Sequence, residues 1–138
     1  MNYDTIEVHL SSEVACVSMN RPEVMNALNT QMRAEITDAY KRLAPQARVI
    51  VLTGRGKAFC SGQDLGDRAN AAQLDLERTL RDEYEPMLRA IIECRIPTIT
   101  ALNGAAAGAG ANLALASDVV IASKSSYFMQ AFTKIGLI

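Results

Sequence analysis

Residues 98–117 read TITALNGAAAGAGANLALAS, the stretch with the strongest fold signal in the chain. It begins with a short apolar run, Thr98 to Leu102, which is typical of a buried strand. A glycine-containing loop, Asn103 to Gly110, comes next, and the residues from Ala111 to Ser117 predict a short helix. Glycine permits positive φ and close approach of the backbone, so a loop of this kind can aim N–H groups at an anion.

The same order of strand, glycine loop and helix occurs earlier in the chain. Arg48 to Thr53 is a β-branched apolar run that suits a strand covered on both faces. A second glycine loop, Gly54 to Asp64, leaves this strand. Apolar residues at helical spacing between Leu76 and Ile91 then predict a helix, which Pro86 kinks or restarts.

The N-terminal third predicts a β-hairpin followed by a helix. Ile6 to Leu10 and Val14 to Met19 form the two strands, joined by a polar turn. Asn29 or Thr30 caps the helix, whose apolar residues recur at steps of four and three. With a last strand at Asp118 to Ala122, strands alternate with helices, which indicates an α/β fold with right-handed crossovers.

Composition excludes several classes of protein. The 138 residues fall in the size range of one domain, and 49% hydrophobic with 21% charged residues is ordinary globular composition. The net charge of −1 and the lack of a dense basic run argue against a nucleic-acid partner. The most apolar region, Ile96 to Ala122, is interrupted by polar residues and predicts core, not a membrane span.

The cysteines and the N-terminus predict a reducing, cytoplasmic setting. Cys16, Cys60 and Cys94 are odd in number, widely spaced and without a C-x-x-C pair, so neither a disulfide framework nor a zinc site is expected. The first residues show no cationic stretch ahead of an apolar core, so we expect no secretory signal.

Two explanations of the glycine loops stay open from the residues alone. Loops that leave neighbouring strands can together present N–H groups to a carbonyl oxygen that becomes negatively charged, which is an oxyanion hole. Alternatively, Gly104, Gly108 and Gly110 only allow tight packing of strand and helix. On the pattern alone packing is the commoner explanation, because short glycine motifs have many false positives.

Three motifs in order resemble the crotonase, or enoyl-CoA hydratase/isomerase, superfamily. Ala58-Phe59-Cys60-Ser61-Gly62-Gln63-Asp64-Leu65 is similar to its A-F-x-x-G-x-D-[LI] segment, and Asn103 to Gly110 resembles N-G-x-A-x-G-x-G. Asn20-Arg21-Pro22 with Asn26-Ala27-Leu28-Asn29 matches the opening signature. The resemblance implies a crotonase-like ββα spiral, with residues 1–138 as the N-terminal part of a single domain, ahead of a C-terminal helical part.

The resemblance also implies the residues of the site. The backbone N–H groups of Cys60 and Ala109 are expected to form the oxyanion hole. An acyl-CoA thioester is the expected substrate, with coenzyme A as part of the substrate and with no separate cofactor and no metal. The expected substrate-binding residues come from all three motifs: Arg21, Ala27, Ala58, Ser61, Gly62, Gln63, Asp64, Leu65, Gly108 and Gly110.

The reaction is predicted from a departure from the family pattern. Hydratases of the family use two glutamates, and the positions that align with them are Asn112 and Phe132, neither of which exchanges a proton at neutral pH. Three segments, Gln63-Asp64-Leu65, Ala106 to Ala111 and Phe132 to Ile138, resemble the isomerase branch of phenylacetate degradation more closely. This resemblance implies isomerisation of a ring-1,2-epoxyphenylacetyl-CoA or a double-bond shift. That branch places an aspartate base shortly after the position of Ile138. A hydratase or an inactive acyl-CoA binding module remain the alternatives, and the family suggests homotrimers or hexamers.

Three residue roles were weighed against structural alternatives. Cys60 as a nucleophile is disfavoured, because the only histidine, His9, lies in a strand of edge type with a solvent-facing pattern. For Asp64, capping of loop N–H groups is favoured over direct chemistry. The charged run between Glu77 and Glu85 predicts the solvated face of a helix.

Overall fold

Residues 1–64 and 76–130 are described by the computed structural model, and they form two β-sheets with helices packed against the larger one. The predictions for Leu65 and Phe132 lie outside the described residues. So does the segment that matches the phenylacetate isomerase branch between residues 132 and 138.

The described residues contain the five predicted strands in the predicted order, together with two short strands, at Ala106–Ala107 and Phe128–Met129, that the sequence did not predict. The strands are β1 (Ile6–Ser11), β2 (Val14–Met19), β3 (Val49–Gly54), β4 (Thr98–Leu102), β5 (Ala106–Ala107), β6 (Val119–Ala122) and β7 (Phe128–Met129). The main sheet has the order β1-β2-β3-β4-β6, and only the β1–β2 pair within it is antiparallel. Strands β5 and β7 form a small parallel sheet of their own. The predicted α/β class is therefore confirmed.

The predicted hairpin and the first helix are confirmed. Ser12 and Glu13 join β1 to β2 with φ values of 50° and 66°, the left-handed geometry that matches the twist of a two-residue hairpin turn. Helix α1 spans Thr30–Leu43 and is capped by Asn29, whose side chain accepts the Met32 N–H at 2.8 Å. The apolar face of α1 is completely or almost completely buried, at Met32, Ile36, Tyr40 and Leu43.

The helical region before β4 has three parts. Helix α2 (Leu76–Thr79) continues into a π-helical turn (Leu80–Tyr84) and then into helix α3 (Glu85–Ile92). Pro86 lies in the first turn of α3, directly after the π-helical turn, where its missing N–H interrupts the helical hydrogen bonding. The predicted irregularity at Pro86 is thus present, as a change from π-helical to α-helical geometry.

Helix α4 spans Ala109–Leu115, two residues ahead of the predicted range at both ends. The shift arises because Gly108 has φ 54° and ψ −124°, so it turns the chain directly into the helix. The strand predicted from Asp118 to Ala122 is β6, and it begins at Val119 instead of Asp118. The Asp118 carboxylate instead accepts the Thr98 N–H at 2.9 Å at the start of β4.

The parallel pairing of β3 and β4 positions the two glycine loops. Val51 lies opposite Ile99, and Leu52 lies opposite Thr100. Both loops therefore leave the same edge of the sheet, where the carboxyl ends of parallel strands bring ligand-binding loops together. Across residues 1–64 and 76–130, every helix is too short or too polar to cross a lipid bilayer.

Candidate functional site

The two glycine loops are in direct contact. Cys60 forms an isolated parallel bridge with Ala106, and the Ala107 N–H donates to the Cys60 carbonyl at 3.0 Å. A Cβ on Gly110 would overlap the Cys60 carbonyl oxygen, and one on Gly104 would overlap the Lys57 carbonyl oxygen. Close packing therefore explains Gly104 and Gly110, as the structural alternative predicted, and it also joins the two candidate donor segments.

Gly62 lies beside the Ala109 amide. Its φ of +107° is open to glycine, and an added Cβ would lie 2.9 Å from the Ala107 carbonyl oxygen and 3.7 Å from the Ala109 nitrogen. Gly108 turns the chain in the opposite loop with its own positive φ. Gly62, which carries no side chain, therefore lies close to the nitrogen of Ala109.

The two predicted oxyanion donors differ in their present partners. Ala109 is the first residue of α4, so its N–H has no acceptor within the helix, and among the described residues no backbone carbonyl accepts it. The Cys60 N–H donates to the Ala105 carbonyl at 3.2 Å, and the Phe59 N–H donates to the same oxygen at 3.0 Å. Ala109 is partly exposed, whereas Cys60 is completely buried.

Two asparagine side chains hold the first glycine loop in place. Asn26 is completely buried, and its amide donates to the Arg55, Ala58 and Phe59 carbonyls at 3.0 to 3.2 Å. Asn103 accepts the Gly54 N–H at 3.1 Å and donates to the Gly56 and Ala58 carbonyls, both at 3.2 Å. The directions of the peptide groups that lead to Cys60 are consequently fixed by side chains from both other motifs.

An ion pair joins the opening motif to the end of the first glycine loop. Arg21 Nη1 lies 2.9 Å from Asp64 Oδ2, and the same nitrogen donates to the Ala27 carbonyl at 2.6 Å. The sequence predicted that Asp64 caps loop N–H groups, whereas the partner found in the structure is a guanidinium from the opening motif. Through this pair the structure brings together three predicted substrate-binding residues.

The remaining predicted residues of the first glycine loop contact neighbouring segments or are buried. Ala58 is buried, and Gln63 pairs as an isolated parallel bridge with Leu28. The Ser61 N–H donates to the Met25 carbonyl at 2.9 Å, and its hydroxyl donates to the Val24 carbonyl at 3.2 Å.

The Cys60 thiol is inaccessible and protonated. Burial raises the pKa of this thiol to about 12, although a hydrogen bond from the Gly62 backbone opposes the shift. Its Sγ donates to the Asn26 carbonyl at 3.1 Å. His9 is exposed on β1, as predicted. These features argue against the nucleophile alternative and leave the backbone amide as the group of interest at Cys60.

Asn112 is the residue that the family resemblance places at the position of a hydratase glutamate. It lies on α4, is exposed, and its Oδ1 accepts a hydrogen bond from the Gln130 side chain at 3.0 Å. An amide at this position can donate and accept hydrogen bonds, but it does not transfer protons at neutral pH.

The sequence did not identify the structural side chains behind the loops. The sequence identifies Asn26 and Asn103 only as parts of motifs. In the structure Asn26 has a φ of 56°, a left-handed conformation that asparagine adopts more readily than most residues. The interpretation of Glu83 as part of a solvated face was wrong, because its carboxylate lies 2.6 Å from the guanidinium of buried Arg33. No local pattern marks that contact between two helices.

A surface groove lies away from the two glycine loops. It runs between α1 and α3 and includes Lys41, Arg89 and Glu93 in its lining. None of its lining residues belongs to either glycine loop. We place the candidate site at the loops, because the sequence motifs coincide there with a backbone N–H that no backbone carbonyl of residues 1–64 and 76–130 accepts.

Comparison with known proteins defines the family. The family model described as enoyl-CoA hydratase/isomerase matches residues 9–138. The chain therefore belongs to the enoyl-CoA hydratase/isomerase family, as the three motifs predicted.

Individual relatives point to more than one reaction. The chain is 62% identical over 137 residues to a Rhodobacter capsulatus protein named "Probable enoyl-CoA hydratase", with 99% of this chain and 53% of the relative covered. It is 41% identical over 135 residues to the 1,2-epoxyphenylacetyl-CoA isomerase of Escherichia coli, with coverages of 94% and 52%. The chain thus spans about half the length of these curated relatives.

Solved structures confirm the crotonase-like fold. An enoyl-CoA hydratase from Mycobacterium avium subsp. paratuberculosis superposes with a TM-score of 0.85 at 34% identity, covering 99% of this chain and 52% of that one. An enoyl-CoA hydratase from Bacillus anthracis gives a TM-score of 0.90 at 30% identity, covering 98% and 54%. The described elements therefore form about half of the fold seen in these structures.

Proposed function

We propose that this chain provides the thioester-binding part of an acyl-CoA isomerase. The observation that carries the proposal is the contact between the two glycine loops, which brings the Ala109 N–H beside Gly62 with no backbone acceptor among the described residues. In the proposal, the thioester carbonyl oxygen accepts this N–H group.

The second donor of the proposed hole is the Cys60 N–H. Its present bond to the Ala105 carbonyl is 3.2 Å long, at the weak end of the N–H···O range, and that oxygen keeps the Phe59 N–H when Cys60 turns away. A bound thioester would replace this bond with one to its own carbonyl oxygen. Each such donor stabilises a developing oxyanion by roughly 2.7–4 kcal/mol.

Polarising the carbonyl makes a proton on the neighbouring carbon easier to remove, because the negative charge that develops on oxygen is already hydrogen-bonded. The family resemblance assigns the proton transfer to an aspartate following Ile138. The described residues contribute substrate positioning and charge stabilisation, with Arg21 and the segment to Ala27 placed beside the coenzyme A moiety by the same resemblance.

Isomerisation is preferred to hydration because of Asn112. Adding water to a double bond needs groups that take up and deliver protons, and the amide at this hydratase position does neither. The 41% identity to 1,2-epoxyphenylacetyl-CoA isomerase supports the same preference. Hydration stays the second candidate, because the relative at 62% identity is named a probable enoyl-CoA hydratase.

The proposal also covers the pathway, the cellular compartment and the assembly of the protein. We place the protein in phenylacetate catabolism, in the cytoplasm, as a homotrimer or hexamer, on the strength of the family resemblance and the three free cysteines. Sedimentation of the purified protein tests the assembly, and a stable monomer would contradict it.

Parallel turnover assays separate the two reactions. A protein that carries this chain together with the aspartate expected after Ile138 is incubated with ring-1,2-epoxyphenylacetyl-CoA, with a 3-enoyl-CoA and with a 2-enoyl-CoA. The products are separated by liquid chromatography, which resolves isomers of equal mass, and their masses are then measured. We expect isomers of unchanged mass from one of the first two substrates and no water addition to the third. A product of the 2-enoyl-CoA heavier by one water, formed at a comparable rate, would favour the hydratase.

A further inference from the structure

Arg33 is a charged residue buried inside the fold. It lies on α1 with 2% of its surface exposed, and a buried guanidinium requires partners for its charge and its donors. Its Nη2 lies 2.6 Å from Glu83 Oε1, and its Nε donates to the same oxygen at 3.0 Å. The guanidinium also lies over the Tyr84 ring, 4.6 Å from the ring centre. Arg33 therefore fastens α1 to the π-helical turn.

Other guanidinium donors of Arg33 reach the Tyr84 hydroxyl and the Thr30 hydroxyl, both at 3.2 Å, and one reaches the candidate site indirectly. Arg33 Nη1 donates to the Leu28 carbonyl at 2.8 Å. That oxygen also accepts the Asp64 N–H at 2.9 Å, and the Leu28 N–H donates to the Gly62 carbonyl at 2.7 Å. The backbone of Leu28 thus pairs with the segment from Gly62 to Asp64, as in a β-bridge, and Arg33 hydrogen-bonds the Leu28 carbonyl.

We propose that Arg33 is a positioning residue, which sets the place of the Gly62–Asp64 segment by holding the Leu28 carbonyl while Glu83 and Tyr84 fix the guanidinium. The proposal rests on the proposed function for its consequence in ligand binding. Through Arg33, the helical region that contains Glu83 and Tyr84 would therefore be coupled to the position of the thioester site.

The test compares Arg33→Met with Ile36→Ala. Methionine keeps an unbranched apolar stem but removes every donor, whereas Ile36 is a completely buried residue of the same helix that makes none of the contacts described for Arg33. Both changes destabilise the fold, so the unfolding midpoint is measured first, and both variants are then compared with the unmodified protein well below their midpoints. If Arg33→Met does not fold, Arg33→Lys takes its place and is expected to show the same differences from Ile36→Ala, because lysine lacks the planar set of guanidinium donors.

The first readout needs no ligand. Amide hydrogen exchange of Asp64 reports the bond to Leu28, and we expect Arg33→Met to accelerate it at least tenfold more than Ile36→Ala does. Equal acceleration in the two variants would overturn the positioning role, because it would show only general loss of stability.

The second readout is binding of phenylacetyl-CoA by titration calorimetry. We expect Arg33→Met to weaken binding at least tenfold and Ile36→Ala to change it by less than threefold. Equal weakening in both variants would contradict the proposal. If the unmodified protein does not bind phenylacetyl-CoA, this ligand does not report on the proposed site, and the Asp64 exchange rates alone then support or overturn the role of Arg33.

Discussion

Arg21 and Asp64 are joined by an ion pair with 2.9 Å between Nη1 and Oδ2, which links the opening motif of the chain to the end of the first glycine loop. Both side chains are 19% exposed, so the pair is partly shielded from water. Because Arg21 also holds the Ala27 carbonyl, the carboxylate of Asp64 organises two segments that the family resemblance assigns to substrate binding.

A double-mutant cycle measures this pair. We expect Arg21→Ala, Asp64→Ala and the double variant to give a coupling energy of about 1 kcal/mol, since contacting charges that are partly shielded couple at the lower end of the usual range. Denaturant unfolding supplies the four free energies. Additive effects of the two substitutions would show that the pair contributes nothing, and that Asp64 acts through other contacts.

Glu35 makes stability depend on acid pH. Burial alone would raise the pKa of its carboxyl group, but hydrogen bonds from the Asp4 and Thr5 backbone, the Thr5 hydroxyl and Gln31 outweigh it, so the pKa lies below 4.5. Its stabilising effect is therefore present above pH 4.5 and is lost as the pH falls through the lowered value. We expect Glu35→Gln to lower the free energy of unfolding at pH 7. The difference from the unmodified protein should become smaller at the lowest pH at which both proteins still fold, in denaturant unfolding at the two pH values. An equal difference at both would contradict this assignment.

The Cys60 thiol should resist alkylation. With a pKa of about 12 and complete burial it offers almost no thiolate, whereas Cys16 and Cys94 are partly exposed. Iodoacetamide at pH 8, followed by peptide mass spectrometry, should label Cys60 at least tenfold more slowly than either of the others. Preferential labelling of Cys60 would revive the nucleophile alternative.

Removing the Asn26 side chain should destabilise the first glycine loop. We expect Asn26→Ala to lower the free energy of unfolding by at least about 2 kcal/mol, because buried loop carbonyls lose their donor. The control is Asn112→Ala, where the asparagine is exposed and the expected change is within about 0.5 kcal/mol. Similar effects of the two substitutions would mean that Asn26 does not hold the loop.

The parts of the fold that sequence predicts are those set by local patterns. Alternation marks the hairpin, and the Asn29 cap with its following apolar spacing marks α1, because both signals lie within one element. The start of α4 was two residues off, since the pattern does not reveal that Gly108 adopts the backbone angles that begin the helix at Ala109.

The supporting contacts of the site are long-range and leave no such pattern. Arg33 and Glu83 lie 50 residues apart in the sequence, so a charged residue on α1 gave no sign of its partner. The motifs placed the two loops together through family resemblance. They did not reveal that the Cys60 N–H is bonded to Ala105, because that depends on the orientation of a single peptide group.

The most direct test of the account is the carbonyl stretching frequency of bound phenylacetyl-CoA, labelled with ¹³C at the thioester carbonyl. The decisive variants are Ala109→Pro, which removes the N–H at a first helical position that tolerates proline, and Ala109→Gly, which keeps it. We predict that the protein lowers the frequency relative to the free ligand, that Ala109→Gly retains this shift, and that Ala109→Pro loses at least half of it. The same shift in both variants, with ligand bound, would contradict a thioester carbonyl held by the Ala109 amide.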